Sequence, residues 1–168
     1  MNYLSLAGAT LLAATLSTSL LAQTVDVQNA WARATVQGQK ATGAFMQLTA
    51  KEASQLVAVS SPVAGVAEVH EMKMEGDVMK MRALSAGLAL PAGKAVELKP
   101  GGYHVMLMDL KMPLQKDTTI PLTLVFKDAK GVQSSTEVRV PVATAAPAGA
   151  PAHGAHAMPG AHGAAAKP

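Results

Sequence analysis

The chain has 168 residues, 49% hydrophobic but only 3% aromatic, so it suits one domain with a core of Val, Leu, Ala and Met. Its formal net charge of +3 is spread along the chain, without a basic run or aromatics interleaved with cations, which leaves nucleic-acid binding unsupported. There is no cysteine, which excludes a disulfide framework, thiol redox chemistry and a blue-copper site built on a thiolate.

Three regions follow from composition. Residues 1–22 have the pattern of an export signal: Tyr3 to Ala22 carries no charge, is rich in Leu and Ala, and ends on a small residue before Gln23. The amino-terminal end lacks Lys and Arg, and Leu20 departs from the small-residue cleavage pattern. The competing reading is an uncleaved anchor, because about 20 apolar residues can span a bilayer. The Ser, Thr and Gly content argues against it. Residues 23–142 are expected to form the folded domain. Residues 143–168, almost wholly Ala, Pro, Gly and His, have no periodic apolar pattern and are expected to be a disordered tail.

The middle region reads as all-β. Val25, Val27 and Trp31 begin an extended stretch, and Ala44 to Thr49 is a short apolar run. Leu56, Val57 and Val59 follow, closed by Ser61-Pro62. From Val66 to Met74 the chain alternates, with Val69 and Glu71 on one face and His70, Met72 and Met74 on the other. Glu75-Gly76-Asp77 is a turn signal, so Met72–Met74 and Met79–Met81 should flank a hairpin. Pro91-Ala92-Gly93 and Pro100-Gly101-Gly102 mark further turns. Tyr103 to Leu110 is another strand. Ile120 to Lys127 and Gln133 to Val140 form a last pair joined at Asp128–Gly131. Short strands at this spacing predict a β-sandwich or Greek-key barrel. Gly and Pro recur too often for long helices.

Histidine and methionine carry the chemistry. The folded region has two histidines, His70 and His104, and each is followed two residues later by methionine, Met72 and Met106. In a strand, residues i and i+2 share a face, so each pair presents an imidazole beside a thioether. Seven methionines fall between residues 72 and 112: Met72, Met74, Met79, Met81, Met106, Met108 and Met112. Both ligand types are neutral, and soft sulfur selects Cu(I) over harder ions. No set of carboxylates accompanies them, which disfavours Ca²⁺ and Mg²⁺. Singly, a strand methionine is core filler. The doubled His-x-Met pattern is what points to a metal. By strand geometry alone, Met72 and Met81 are equally good ligands.

The sequence resembles the periplasmic copper chaperones of the PCu(A)C family. The resemblance rests on His70, on Met81 after ten intervening residues, and on His104-Val105-Met106. The strings Val69 to Arg82 and Lys99 to Met108 fit the family closely, although the 22 residues between Met81 and His104 are one more than its pattern. The resemblance covers most of residues 23–142. It implies a cupredoxin-like Greek-key β-sandwich, a periplasmic location, and one Cu(I) held by His70, Met81, His104 and Met106. Met72 matches the family's optional methionine. The implied acceptors are cytochrome c oxidase subunit II and the Sco-type thiol proteins that help assemble its copper centre.

The tail carries His153, His156, Met158 and His162 among Gly and Ala spacers, a composition suited to a second copper site that takes Cu(II) as well as Cu(I). A bland linker with incidental histidines is the alternative. The expectation is a monomeric metallochaperone without catalysis. Its rivals are a copper storage or resistance protein, which would use the same residues, and a copper redox enzyme. An enzyme would need an open coordination position and a defined substrate, and no nucleophile–base pair is visible.

Overall fold

A computed structural model describes residues 24–150, and among them there is no helix, so none that is long and apolar enough to cross a membrane. Ten strands run β1 Val25–Arg33, β2 Ala41–Ala50, β3 Ser54–Ser60, β4 Val66–Glu75, β5 Val78–Ala83, β6 Leu88–Leu90, β7 Ala95–Leu98, β8 Tyr103–Met108, β9 Thr119–Asp128 and β10 Gln133–Ala143. They form one curled sheet in the order β5-β4-β8-β7-β2-β1-β10-β9-β3-β6. The curl folds a β5-to-β1 layer over a β10-to-β6 layer, and the two join where β1 runs parallel to β10 at Ala32–Val142 and Arg33–Ala143. The all-β expectation holds. Signal and tail histidines fall in residues 1–23 and 151–168, outside the described residues.

The core lies between the layers, and period-two alternation builds it. Ala44, Met46, Leu48 and Ala50 of β2 face inward with Val105 and Leu107 of β8, against Leu56, Leu122, Leu124 and Phe126 of the opposite layer. Aliphatic side chains fill this space, as the scarcity of aromatics requires. Met46 is fully buried and is the one strand methionine that serves as core filler.

The hairpin at Glu75–Asp77 forms as its turn signal predicts, with Gly76 at φ 63°. So does the β9–β10 pair, closed by Gly131 N–H donating to the Asp128 carbonyl. Two short strands, β6 and β7, have no clear sequence signal. β7 and β8 lie end to end along β2, β7 opposite positions 46–49 and β8 opposite positions 41–44. They read as one strand interrupted by a Lys99–Gly102 detour, whose turn is closed by Gly102 N–H donating to the Lys99 carbonyl at 3.0 Å.

In β1, alternation from Val25 and Val27 would carry Trp31 into the core. Instead the register with β2 slips between Gln28 and Trp31, and Asn29 sits at φ 53°. This is a bulge, and it switches the inward parity from Val25 and Val27 to Ala30 and Ala32. Trp31 thereby moves to the outer face, where its ring packs on Phe45 with centroids 4.7 Å apart. Asn tolerates the left-handed region that a β-branched residue resists. Asn29→Gly is expected to leave urea stability nearly unchanged, whereas Asn29→Val should lower it by roughly 1–2 kcal/mol. Equal stability of the two variants would mean that the bulge is not set by this residue.

Candidate metal centre

The site lies on the outer face of the β5-β4-β8-β2 part of the sheet. Directly opposed residues in antiparallel strands point the same way. His70 of β4 is paired with His104 of β8, Met72 with Met81, Met74 with Met79, and Gly43 of β2 with Met106. These registers place His70, Met72, Met74, Met79, Met81, His104 and Met106 on one face. Sequence parity found each pair, but not that β4 and β8 are neighbours. That adjacency brings the histidines together, with ring centroids 5.8 Å apart.

Both imidazoles are buried, 8% exposed for His70 and 7% for His104, so each must have its hydrogen-bonding needs met. Nδ1 of His104 lies 3.1 Å from the Gly102 carbonyl. A carbonyl only accepts, so Nδ1 carries the proton, and in the neutral ring Nε2 is left with its lone pair. Nε2 of His70 lies 3.0 Å from Glu68 Oε2 and donates to it. Its Nδ1 is then the lone-pair atom, buried and without any partner. Each ring is thus oriented by an oxygen acceptor on one nitrogen while the other is left for an electrophile, the usual arrangement behind metal-bound histidine.

The Gly102 carbonyl also accepts from the Met72 backbone N–H at 3.1 Å. One carbonyl on the Lys99–Gly102 detour therefore ties β4 to the ring of His104. Burial lowers the His104 pKa below its ordinary 6.5. The bond to Gly102 opposes this, and the charge of a protonated His70 adds to it. The ring is kept neutral, the form that binds metal.

His104, Met106 and Met72 line a shallow open hollow together with Arg33, Phe45 and the Pro100–Gly101 turn. The Phe45 ring lies across Gly43, where a Cβ would stand 2.7 Å from its Cζ, and its centroid is 6.4 Å from that of His104. Arg33 sits over the same ring, its Cζ 5.7 Å from the centroid. Met81 is across the strand from Met72 and 50% exposed, and it does not line this hollow. Met108 continues the face beyond Met106, and Met112 is an exposed loop residue. Among the described residues there is no group of three or more His, Asp or Glu that could hold a metal, so any ion here would rely on sulfur.

Glu68, Gly102, Gly43 and Phe45 also shape the site, although the doubled His-x-Met pattern does not include them. Glu68 was legible, since it stands two residues before His70 on the same face. The role of the Gly102 carbonyl and the placing of Phe45 over Gly43 depend on tertiary pairing and leave no local signal.

For the apo protein, the His104 ring protons followed by NMR are expected to titrate with a midpoint below 6.5. Between 6.5 and that midpoint the unfolded chain binds a proton that the folded one does not. This group therefore removes stability as pH falls through that window and has no effect above it. A midpoint above 6.5 would contradict the buried, neutral ring.

The family described as "Putative lipoprotein LpqE-like" matches residues 25–142. A putative lipoprotein of Leifsonia xyli subsp. xyli is 34% identical over 118 residues, 70% of this chain and 69% of that one. The solution structure of copper(I)-bound DR1885 from Deinococcus radiodurans superposes with a TM-score of 0.57 at 29% identity, over 76% of this chain and 83% of that one. The apo PCuAC domain of PmoF1 has the same fold, with a TM-score of 0.54 at 24% identity over 71% of this chain and 95% of its own. Family match and fold agree: the chain belongs to the LpqE-like family, on the cupredoxin-like fold of the PCuAC domains.

Proposed function

We propose that this protein is an exported copper carrier that holds Cu(I) through His70, Met81, His104 and Met106 and hands it on without catalysis. The observation that carries the proposal is the buried His70–His104 pair, each ring locked by an oxygen acceptor and left with one basic nitrogen. The likeness to the copper(I)-bound Deinococcus protein supports the metal and its oxidation state. The lipoprotein description of the Leifsonia relative supports export, and with it a periplasmic location.

The chemistry suits transfer. Four neutral ligands leave the full +1 charge of Cu(I) on the site, and thioethers bind it more weakly than thiolates do. Met81 stands half-exposed on an outer strand, where an incoming ligand can replace it. A thiol-bearing acceptor would add a sulfur before the carrier releases one, and the metal would run towards the stronger donor. Acceptors of that kind are the Sco-type proteins and cytochrome c oxidase subunit II. The tail residues His153, His156, Met158 and His162 would supply a second site for Cu(II).

The test is an anaerobic Cu(I) titration against a chromogenic chelator. The wild-type chain is expected to bind one equivalent tightly, and His104→Ala/Met106→Ala to lose that equivalent. Met81→Leu should weaken binding more than Met72→Leu does. Unchanged affinity in the His104/Met106 variant would overturn the site. Glu68→Gln keeps the volume but weakens the acceptor that orients His70. It is expected to cost about 10–100-fold in Cu(I) affinity, the usual scale for a partner behind a ligand. No change there would mean that His70 is not held by this bond when it binds.

A further inference from the structure

The β4–β5 hairpin has two faces of opposite chemistry. One carries Glu71, Lys73, Glu75, Lys80 and Arg82, cross-linked by Lys80–Glu75 at 2.6 Å and Arg82–Glu71 at 3.0 Å. On the other, two successive rungs, Met72–Met81 and Met74–Met79, are methionine at all four positions. Directly opposed side chains start about 5 Å apart, and successive rungs on one face are about 7 Å apart. Met74 is 51% exposed and Met79 47%, so neither fills a core. Strand propensity does not account for them either, because β-branched and aromatic residues are what strands favour. What four methionines offer that valine or leucine would not is sulfur.

We infer that the outer rung of this hairpin is a second soft-metal site, in which Met74 and Met79 bind a Cu(I) or Ag(I) ion with Met72 as the third thioether. Methionine has three rotatable bonds and a polarizable sulfur, so side chains on neighbouring positions can converge on one ion. The site uses no histidine and so differs in kind from the His70–His104 centre. Its ligands are neutral, soft and solvent-facing, which selects monovalent d¹⁰ ions and excludes hard cations. The site stands on these methionines alone. Its use as an entry step rests on the proposed function: an ion on the outer rung could pass to the Met72–Met81 rung and on to the histidines by exchanging one neutral ligand at a time.

The test uses the full chain following the signal region, with ¹³C-labelled methionine methyl groups, titrated with redox-inert Ag(I). The first equivalent is expected to shift the Met106 and Met81 methyls and the histidine rings, and the second the Met74 and Met79 methyls. Met74→Leu/Met79→Leu keeps the apolar surface and removes only the sulfur. It should retain the first equivalent and lose the second from the hairpin, and because both positions are exposed the variant's spectrum should otherwise match the wild type. Met74 and Met79 methyls that stay still through two equivalents, with the second appearing at Met158, would overturn the inference and place the ion in the tail. A hairpin that fills while Met106 does not respond would instead refute the histidine centre and leave this site standing. Full retention of both equivalents by the leucine variant would also overturn the inference, and would leave the face as an apolar docking surface for a protein partner.

Discussion

The structure turns on the pairing of β4 with β8. The two strands come from distant parts of the chain, and their register sets His70 directly opposite His104. Everything else in the site is arranged around that rung. Slipping β4 by one residue would send the His70 imidazole into the sandwich and bring Val69 out, because strand side chains alternate. The aliphatic packing of Val69, Val105 and Leu107 therefore does more than stabilise the domain. It holds the two rings on the same side of the sheet, and the Gly102 carbonyl and Glu68 then settle which nitrogen of each ring is free.

The methionines divide along the same line. Met46 points inward and is sealed from water. Met72, Met74, Met79, Met81 and Met106 point outward on the face that carries the histidines. The division follows from residue parity alone, so one residue type serves as filler on one side of a sheet and as chemistry on the other. The open hollow beside His104 is walled by the Lys99–Gly102 detour, where the β7–β8 strand leaves the sheet and returns.

Much of this was legible in the sequence where a local rule applies. The alternation around His70, the Glu75–Asp77 turn and the β9–β10 pair needed only period two and turn chemistry. The doubled His-x-Met pattern named the chemistry. Strands β6 and β7 were not legible, being short and flanked by glycine and proline. Nor was the position of Trp31, because the bulge at Asn29 inverts an alternation that otherwise runs cleanly from Val25. The choice between Met72 and Met81 could not come from spacing: they occupy one rung, and a two-strand ribbon offers both to the same point in space. Family resemblance favoured Met81, whereas the hollow beside His104 is lined by Met72.

The exposure of the hairpin methionines has a chemical cost. A thioether open to solvent is readily oxidised to the sulfoxide, a polar group that gives up the soft sulfur donor. Met74, Met79 and Met81 are about half exposed whereas the histidines and Met46 are buried, so a diffusing oxidant meets the hairpin methionines before them. A chain without cysteine cannot be inactivated by thiol oxidation. Among the described residues its redox vulnerability falls instead on Met112 and on one ribbon at the edge of the sheet, where damage would blunt the proposed metal exchange while leaving the fold and the imidazole pair intact.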